Sequence, residues 1–313
     1  MVSPLFIIGS GRSGTSILSW SMGQHSNIMV LPETYWTYFL TYPAVSLFHM
    51  CRDISFSHLA KHQIEEEDFL PEIGEAFYRI IQKGFNKALA IKEGENVGPF
   101  PFALKQKSDD PKKRWVDATP QNTYAVHGLL KIFPQAKFIH LLRHPLEVAN
   151  SFEHFSKKYP GAPQLDFHQA LKDWMDKTDF AYACTRALRE DQSITITYND
   201  LCSKTEETLK SIFSFAGENF EEATLAPWKN TINSSSKTLS DERRSIIENL
   251  PDYNDALSIY EKVLTTPKGP PSINFQVYIQ NFFEKFIAQA PGIEGLIQNN
   301  KRTQKFYRGE EHV

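Results

Sequence analysis

Leu5-Phe-Ile-Ile-Gly-Ser-Gly-Arg-Ser-Gly-Thr-Ser16 decides how this chain is read. Four apolar residues run into a glycine-rich octet, Gly9 to Ser16, and the octet runs into a stretch with helical potential. That layout is a phosphate-binding loop. Gly9, Gly14 and Ser16 fit the spacing G-x-x-x-x-G-K-[ST], but the lysine slot holds Thr15 and the positive charge sits earlier, on Arg12. Glycines let successive backbone N–H groups converge on one anion, and the N-terminus of the next helix adds its partial positive charge. A phosphate or sulfate group is the expected ligand.

Working outward, short apolar runs alternate with longer helical patterns, the signature of a parallel sheet flanked by helices. The fold class expected is α/β, with a P-loop-like central sheet. Strands are expected at Leu5–Gly9, Asn27–Leu31, Arg114–Ala118, Lys137–Leu142 and Ser193–Tyr198. Helices are expected over Thr15–Gln24, Gln121–Phe133, Pro145–Lys157, Asp166–Arg189 and Ser203–Ala216, several of them opened or closed by proline. Tyr35–Phe48 is aromatic without clean periodicity, and Lys92–Lys113 mixes Gly, Pro and Lys; both read as irregular insertions over an active-site face. Lys112-Lys113-Arg114 reads as a solvated run before a strand. One domain is expected over residues 1–313, with a nucleotide-binding core at about 4–236 and a polar, proline-broken helical extension at about 237–313.

Composition narrows the partners. The 313 residues are 41% hydrophobic, enough for one large core, and the net charge of −3 from 37 acidic and 34 basic residues points to neither nucleic acid nor an anionic membrane. Cys51, Cys184 and Cys202 are too widely spaced for a zinc or redox motif and are expected reduced and mostly buried; no metal is expected. No apolar run reaches the ~20 residues of a membrane span. A cytoplasmic protein is expected, or a Golgi-lumenal ectodomain if an N-terminal anchor was removed.

A second cluster carries chemistry. Arg143 ends the most apolar strand, His144-Pro145 opens a helix, and Ser151 lies two turns along it. The carboxyl ends of parallel strands are where open α/β sheets bind ligands, so Arg143 and Ser151 are placed to grip a second phosphate by charge-assisted hydrogen bonds. Two anion sites suit a nucleotide phosphorylated at two positions.

With both clusters in view, the chain resembles the sulfotransferases that use 3′-phosphoadenosine 5′-phosphosulfate (PAPS). The likeness rests on Gly9–Ser16, on Phe133-Pro-Gln-Ala-Lys-Phe-Ile-His-Leu-Leu-Arg-His-Pro145 with Ser151, and on Tyr198-Asn-Asp-Leu201. Arg-Ser-Gly-Thr followed by Ile17, where many cytosolic members carry tryptophan, is most similar in style to the protein-tyrosine sulfotransferases and their bacterial relatives. The resemblance implies that Ser10, Gly11, Arg12, Ser13, Gly14, Thr15 and Ser16 hold the 5′-phosphosulfate. It also implies that Arg143, Ser151 and Tyr198 hold the 3′-phosphate, with Ser234–Ser236 and Lys237 folding over the nucleotide. Glu33 stands where the tyrosine sulfotransferases carry their catalytic base, and Arg12 would offset charge on the leaving oxygen. A carboxylate shielded at the sheet's carboxyl end would have its proton affinity raised, as a base requires; the alternative is a glutamate that is solvated or near a helix start, as is often found after a strand.

The acceptor implied is a hydroxyl on a small molecule, a carbohydrate or a tyrosine. One position departs from the family: Asp117-Ala118-Thr119-Pro120 lacks the lysine that often precedes Thr-Pro. Arg12 with backbone donors, or Lys105 or Lys107, would have to replace it, or else the chain binds nucleotide without efficient transfer. Two alternatives stand beside the transferase: a kinase or NTPase with an altered loop, disfavoured for want of an apolar run ending in aspartate, and a non-catalytic nucleotide-binding protein. Oligomeric state is left open.

Overall fold

Strands of four to six residues buried on both faces are stable only inside a covered sheet, and that is where the apolar runs go. The computed structural model describes residues 3–31, 33, 35–89, 112–158, 164–229 and 239–289. Five parallel strands, β1 (Leu5–Ile8), β2 (Ile28–Leu31), β3 (Arg114–Asp117), β4 (Lys137–Leu142) and β5 (Ser193–Thr197), form one sheet in the order β2-β3-β1-β4-β5. β1 is central. The chain leaves it for β2 and β3 on one side and for β4 and β5 on the other, so the order reverses beside the loop that follows β1. Such a reversal opens a crevice at the strands' carboxyl ends.

Thirteen α-helices are seen among the described residues. The first six are α1 (Thr15–Gly23), α2 (Trp36–Arg52), α3 (His58–Lys61), α4 (Glu66–Leu89), α5 (Val126–Ile132) and α6 (Pro145–Lys158). There follow α7 (Phe167–Ala187), α8 (Tyr198–Ser203), α9 (Thr205–Ala216), α10 (Ala226–Lys229), α11 (Asp241–Glu248), α12 (Tyr253–Thr265) and α13 (Ile273–Gln289). On one face of the sheet Phe6, Ile8, Met29, Trp115 and Phe138 pack against α2, α4, α5, α7 and α13. On the other, Leu5, Ile7, Ile28, Ile139 and Ile196 pack against α1, α8 and α9. Alternate strand residues thus feed opposite cores, as the two-residue period of a strand requires. Phe6 and Trp115 meet edge-to-face at 5.3 Å and are fully buried, so truncating either to alanine would cost roughly 3–5 kcal/mol.

All five expected strands are present, and α7 begins on a capping box in which Asp166 and Gln169 satisfy each other's backbone N–H groups. Other expectations are corrected. Tyr35–Phe48 is not an irregular insertion but most of α2. Its buried residues Thr37, Thr41, Tyr42, Ala44, Val45 and Phe48 do follow a helical period; Leu47 and Met50, both exposed, carry apolar side chains on the outer face and blur it, and Pro43 lies inside the helix. Gln121–Phe133 divides into a 3₁₀ helix, Pro120–Ala125, and α5. Lys112 is not solvated: its ammonium is buried and donates to the carbonyls of Gly23, His25 and Ile28, closing the turn after α1. Only Cys184 of the three cysteines is fully buried. Residues 92–111, with Lys105 and Lys107, and Ser234–Lys237 lie outside the described residues.

Candidate active site

The loop after β1 is built by backbone conformations that few residues adopt. Gly9 (φ 115°) and Gly14 (φ 101°) are left-handed, and Gly14 caps the start of α1. A side chain at Gly14 is excluded twice over, because its Cβ would stand 2.5 Å from the Tyr198 ring. Arg12 is also left-handed (φ 64°), which costs a residue with a Cβ about 1 kcal/mol or more. The contact that holds it there is its carbonyl, which accepts from Arg143 Nη1 at 3.0 Å. The Gly9 N–H is fixed separately by Thr123 Oγ1 at 2.9 Å. Ser13 Oγ is buried with no hydrogen-bond partner among the described residues. A hydroxyl left unpaired in such a loop fits an anion as its partner.

The two expected anion clusters are joined. Arg12 Nε donates to Ser151 Oγ at 3.4 Å, and the Arg12 guanidinium lies 4.4 Å over the Phe155 ring. Arg143 lies 4.2 Å over the Tyr198 ring and donates from Nε to Glu147 at 2.8 Å. Its main chain is set by Trp174, whose indole N–H donates to the Arg143 carbonyl at 3.1 Å. Burial pushes the Tyr198 hydroxyl's proton affinity up, with the Arg143 charge opposing. Tyr198 does not end a strand; it begins α8, whose N-cap, Thr197, accepts from the Asp200 N–H. Ser10, Gly11, Thr15 and Ser16 all fall in the loop or the first turn of α1.

Glu33 belongs to the same crevice. Ser16 Oγ stands 3.5 Å from Glu33 Oε1, the outer reach of a hydrogen bond. Burial raises its pKa to about 7, helped by the charge of Asp117 and opposed by Arg12 and Ser16. Asp117 is itself buried and has its pKa raised by burial. It accepts from the Thr119 N–H at 2.8 Å and from Thr37 Oγ1. β3 ends at Asp117, which is turned onto neutral donors. Ala118 beside it is buried and carries no cation where the family often has lysine.

Sequence reasoning missed Thr123, Phe155, Glu147, Thr37 and Asp117. Two were within reach: Arg143, Glu147, Ser151 and Phe155 recur every four residues, one face of α6 running from its N-terminal approach.

Residues 4–222 match the profile described as the Sulfotransferase family. The chain belongs to the sulfotransferase family. An uncharacterized protein of Aquifex aeolicus (strain VF5) is 24% identical over 277 residues; the match covers 84% of this chain, which spans only 31% of that protein's length. Among solved structures, the sulfotransferase domain from the Synechococcus PCC 7002 olefin synthase is similar at 20% identity, covering 91% of this chain and 94% of its own, with a TM-score of 0.44. A Mycobacterium avium sulfotransferase is similar at 16% identity, covering 87% and 78%, with a TM-score of 0.46. A mouse sulfotransferase complexed with PAP is similar at 12% identity, covering 90% and 89%, with a TM-score of 0.41. No described helix of this chain is long and apolar enough to cross a membrane.

Proposed function

We propose that the chain transfers a sulfuryl group from PAPS to an acceptor hydroxyl on a small molecule, carbohydrate or tyrosine, with Glu33 as general base. The observation that carries this is the meeting of Glu33, Ser16 and Arg12 in one crevice, with the Glu33 pKa raised to about 7. At neutral pH such a carboxyl is close to half ionised, the best compromise between being available and being basic. Bound PAPS supplies the activated sulfuryl group and a phosphate leaving oxygen. The unpaired Ser13 hydroxyl, the left-handed glycines and the N-terminus of α1 fit the 5′-phosphosulfate. Arg143, Ser151 and Tyr198 fit the 3′-phosphate; Tyr198 lies against both the loop, at Gly14, and Arg143. Glu33 takes the acceptor's proton as oxygen attacks sulfur, and Arg12 offsets charge on the departing oxygen. The reading takes residues 1–313 as one domain, supported by α11 and α12 packing with α6 and α7 in a shared core.

The family assignment displaces the kinase-like alternative. Ala118 favours a second reading, a nucleotide-binding protein without transfer, because no side-chain donor stands where many relatives have lysine. Calorimetric titration with adenosine 3′,5′-bisphosphate, ATP and AMP tests the donor site. Binding selective for the bisphosphate and weakened about 10–100-fold in Arg143→Ala is expected; no binding, or a preference for ATP with magnesium, overturns the PAPS assignment. Transfer of labelled sulfate from PAPS to phenolic and sugar acceptors then separates the enzyme from the binder.

A further inference from the structure

Glu33 sits on the short connection from β2 to α2, and both ends of that connection are tied to one residue. At the strand end, Leu31 is the register partner of Asp117 in the β2–β3 ladder. At the helix end, Thr37 in the first turn of α2 donates its hydroxyl proton to Asp117 Oδ2. Thr37 Oγ1 also lies 3.1 Å from Asn122 Oδ1 in the 3₁₀ helix, and Asp117 Oδ1 holds the Thr119 N–H that starts it. Thr37, Asn122 and Thr119 are fully buried and Asp117 is nearly so, which leaves this one carboxyl held away from solvent by two neutral donors, the Thr37 hydroxyl and the Thr119 N–H. Tyr35, between Glu33 and Thr37, is left-handed at φ 58°, a conformation that persists in a large residue only when its surroundings over-determine it.

Resting on the reading of Glu33 as the base, we propose that Asp117 is the positioning residue of this site. Through Thr37 it fixes where the Glu33 carboxyl stands relative to Arg12 and Ser16. A misplacement of about 1 Å costs a reaction on the order of 10²-fold, so an anchor at each end of the base's connection has a direct kinetic consequence. Among the described residues, the charges that act on Glu33 are Asp117, which raises its proton affinity, and Arg12, which lowers it; removing the Asp117 charge leaves burial opposed by Arg12 and Ser16. Asp117 thus sets both the place and the proton affinity of the base without touching either substrate.

Thr37→Val, which removes the hydroxyl and keeps the shape, tests the anchor; Thr37→Ser restores the hydroxyl. Expected is a fall in kcat of about 10–100-fold in Thr37→Val with bisphosphate affinity unchanged, and recovery of most of it in Thr37→Ser. Asp117→Asn tests the charge by carbon-13 NMR titration of the Glu33 carboxyl, assigned by its loss in Glu33→Gln. Its midpoint is expected to move to lower pH, carrying the acid limb of the kcat/KM profile with it. Wild-type kcat in Thr37→Val, or an unmoved Glu33 midpoint in folded Asp117→Asn, overturns the proposal. The NMR arm needs no turnover: if Glu33→Gln transfers sulfate normally, the base assignment fails by itself, and the titration still reports whether Asp117 governs Glu33.

Discussion

The two halves of the crevice are built from opposite materials. At the ends of β2 and β3 stand two carboxyls, the partly buried Glu33 and the buried Asp117, surrounded by the hydroxyls and amides of Ser16, Thr37, Thr119 and Asn122. At the ends of β4 and β5 stand Arg143 and Ser151, with Tyr198 beneath the guanidinium and Trp174 behind it. The first half raises proton affinity by excluding water, and the second holds a full positive charge ready for an anion. Arg12, on the loop between them, has its side chain on Ser151 and its charge on Glu33. On the proposed function, the contrast places proton transfer and phosphate binding in different dielectric surroundings, one on each side of the central strand.

If that division holds, Glu33→Gln has the largest effect: transfer falls by about 10²–10⁴-fold while calorimetry shows bisphosphate binding intact. In the wild type kcat/KM should climb with pH through about 7 and then level. The same group makes stability depend on pH. Its folded pKa is raised above 4.5, so the stability it contributes is complete below pH 4.5 and is lost as pH rises through about 7. Urea midpoints of Glu33→Gln should lack that decline, a difference on the order of 1–3 kcal/mol. Equal pH slopes in the two proteins would break the comparison on the acidic side.

Arg143→Ala comes next, weakening bisphosphate binding by about 10–100-fold, the worth of charged hydrogen bonds, with adenosine 5′-phosphate little affected. Gly14→Ala should cost about 1–3 kcal/mol in thermal denaturation, through both its φ of 101° and the clash with Tyr198. Adding Tyr198→Ala should relieve the clash and leave the backbone cost. The smallest effect expected is from Glu147→Gln, which frees Arg143 from a half-exposed partner and should tighten bisphosphate binding by about 2–5-fold in low salt. Weaker binding instead would mean that Glu147 orients the arginine rather than competing for it.

The anion half was legible in the sequence because its signals are local. Gly9–Ser16 is a contiguous motif, and Arg143 and Ser151 are linked by one proline-started helix. The carboxyl half was only partly legible. Glu33 could be named by resemblance, but its environment depends on Asp117, Thr37 and Asn122, which lie apart in the chain and meet through β-ladder register and a buried side-chain network. No periodicity records such a meeting. The fold shows the same split: β1, β2 and β4 are short apolar runs and announce themselves, while α2 hides its period because apolar residues occupy its outer face. Lys112 reads as a surface charge in any local window, and only the three carbonyls that converge on it explain its burial.

The strand order also governs how the molecule is made. β1 is central yet is translated before either of its neighbours, β3 and β4, and β4 ends at Leu142. At roughly 5–20 residues per second of synthesis, the apolar strand Leu5–Ile8 waits on the order of ten seconds for its neighbours. Such non-local pairing is slow to close and open to wrong partners meanwhile. The nascent chain therefore faces its greatest aggregation hazard before Leu142 emerges, and mutations that weaken β4 should reduce soluble yield more than they reduce the stability of protein already folded.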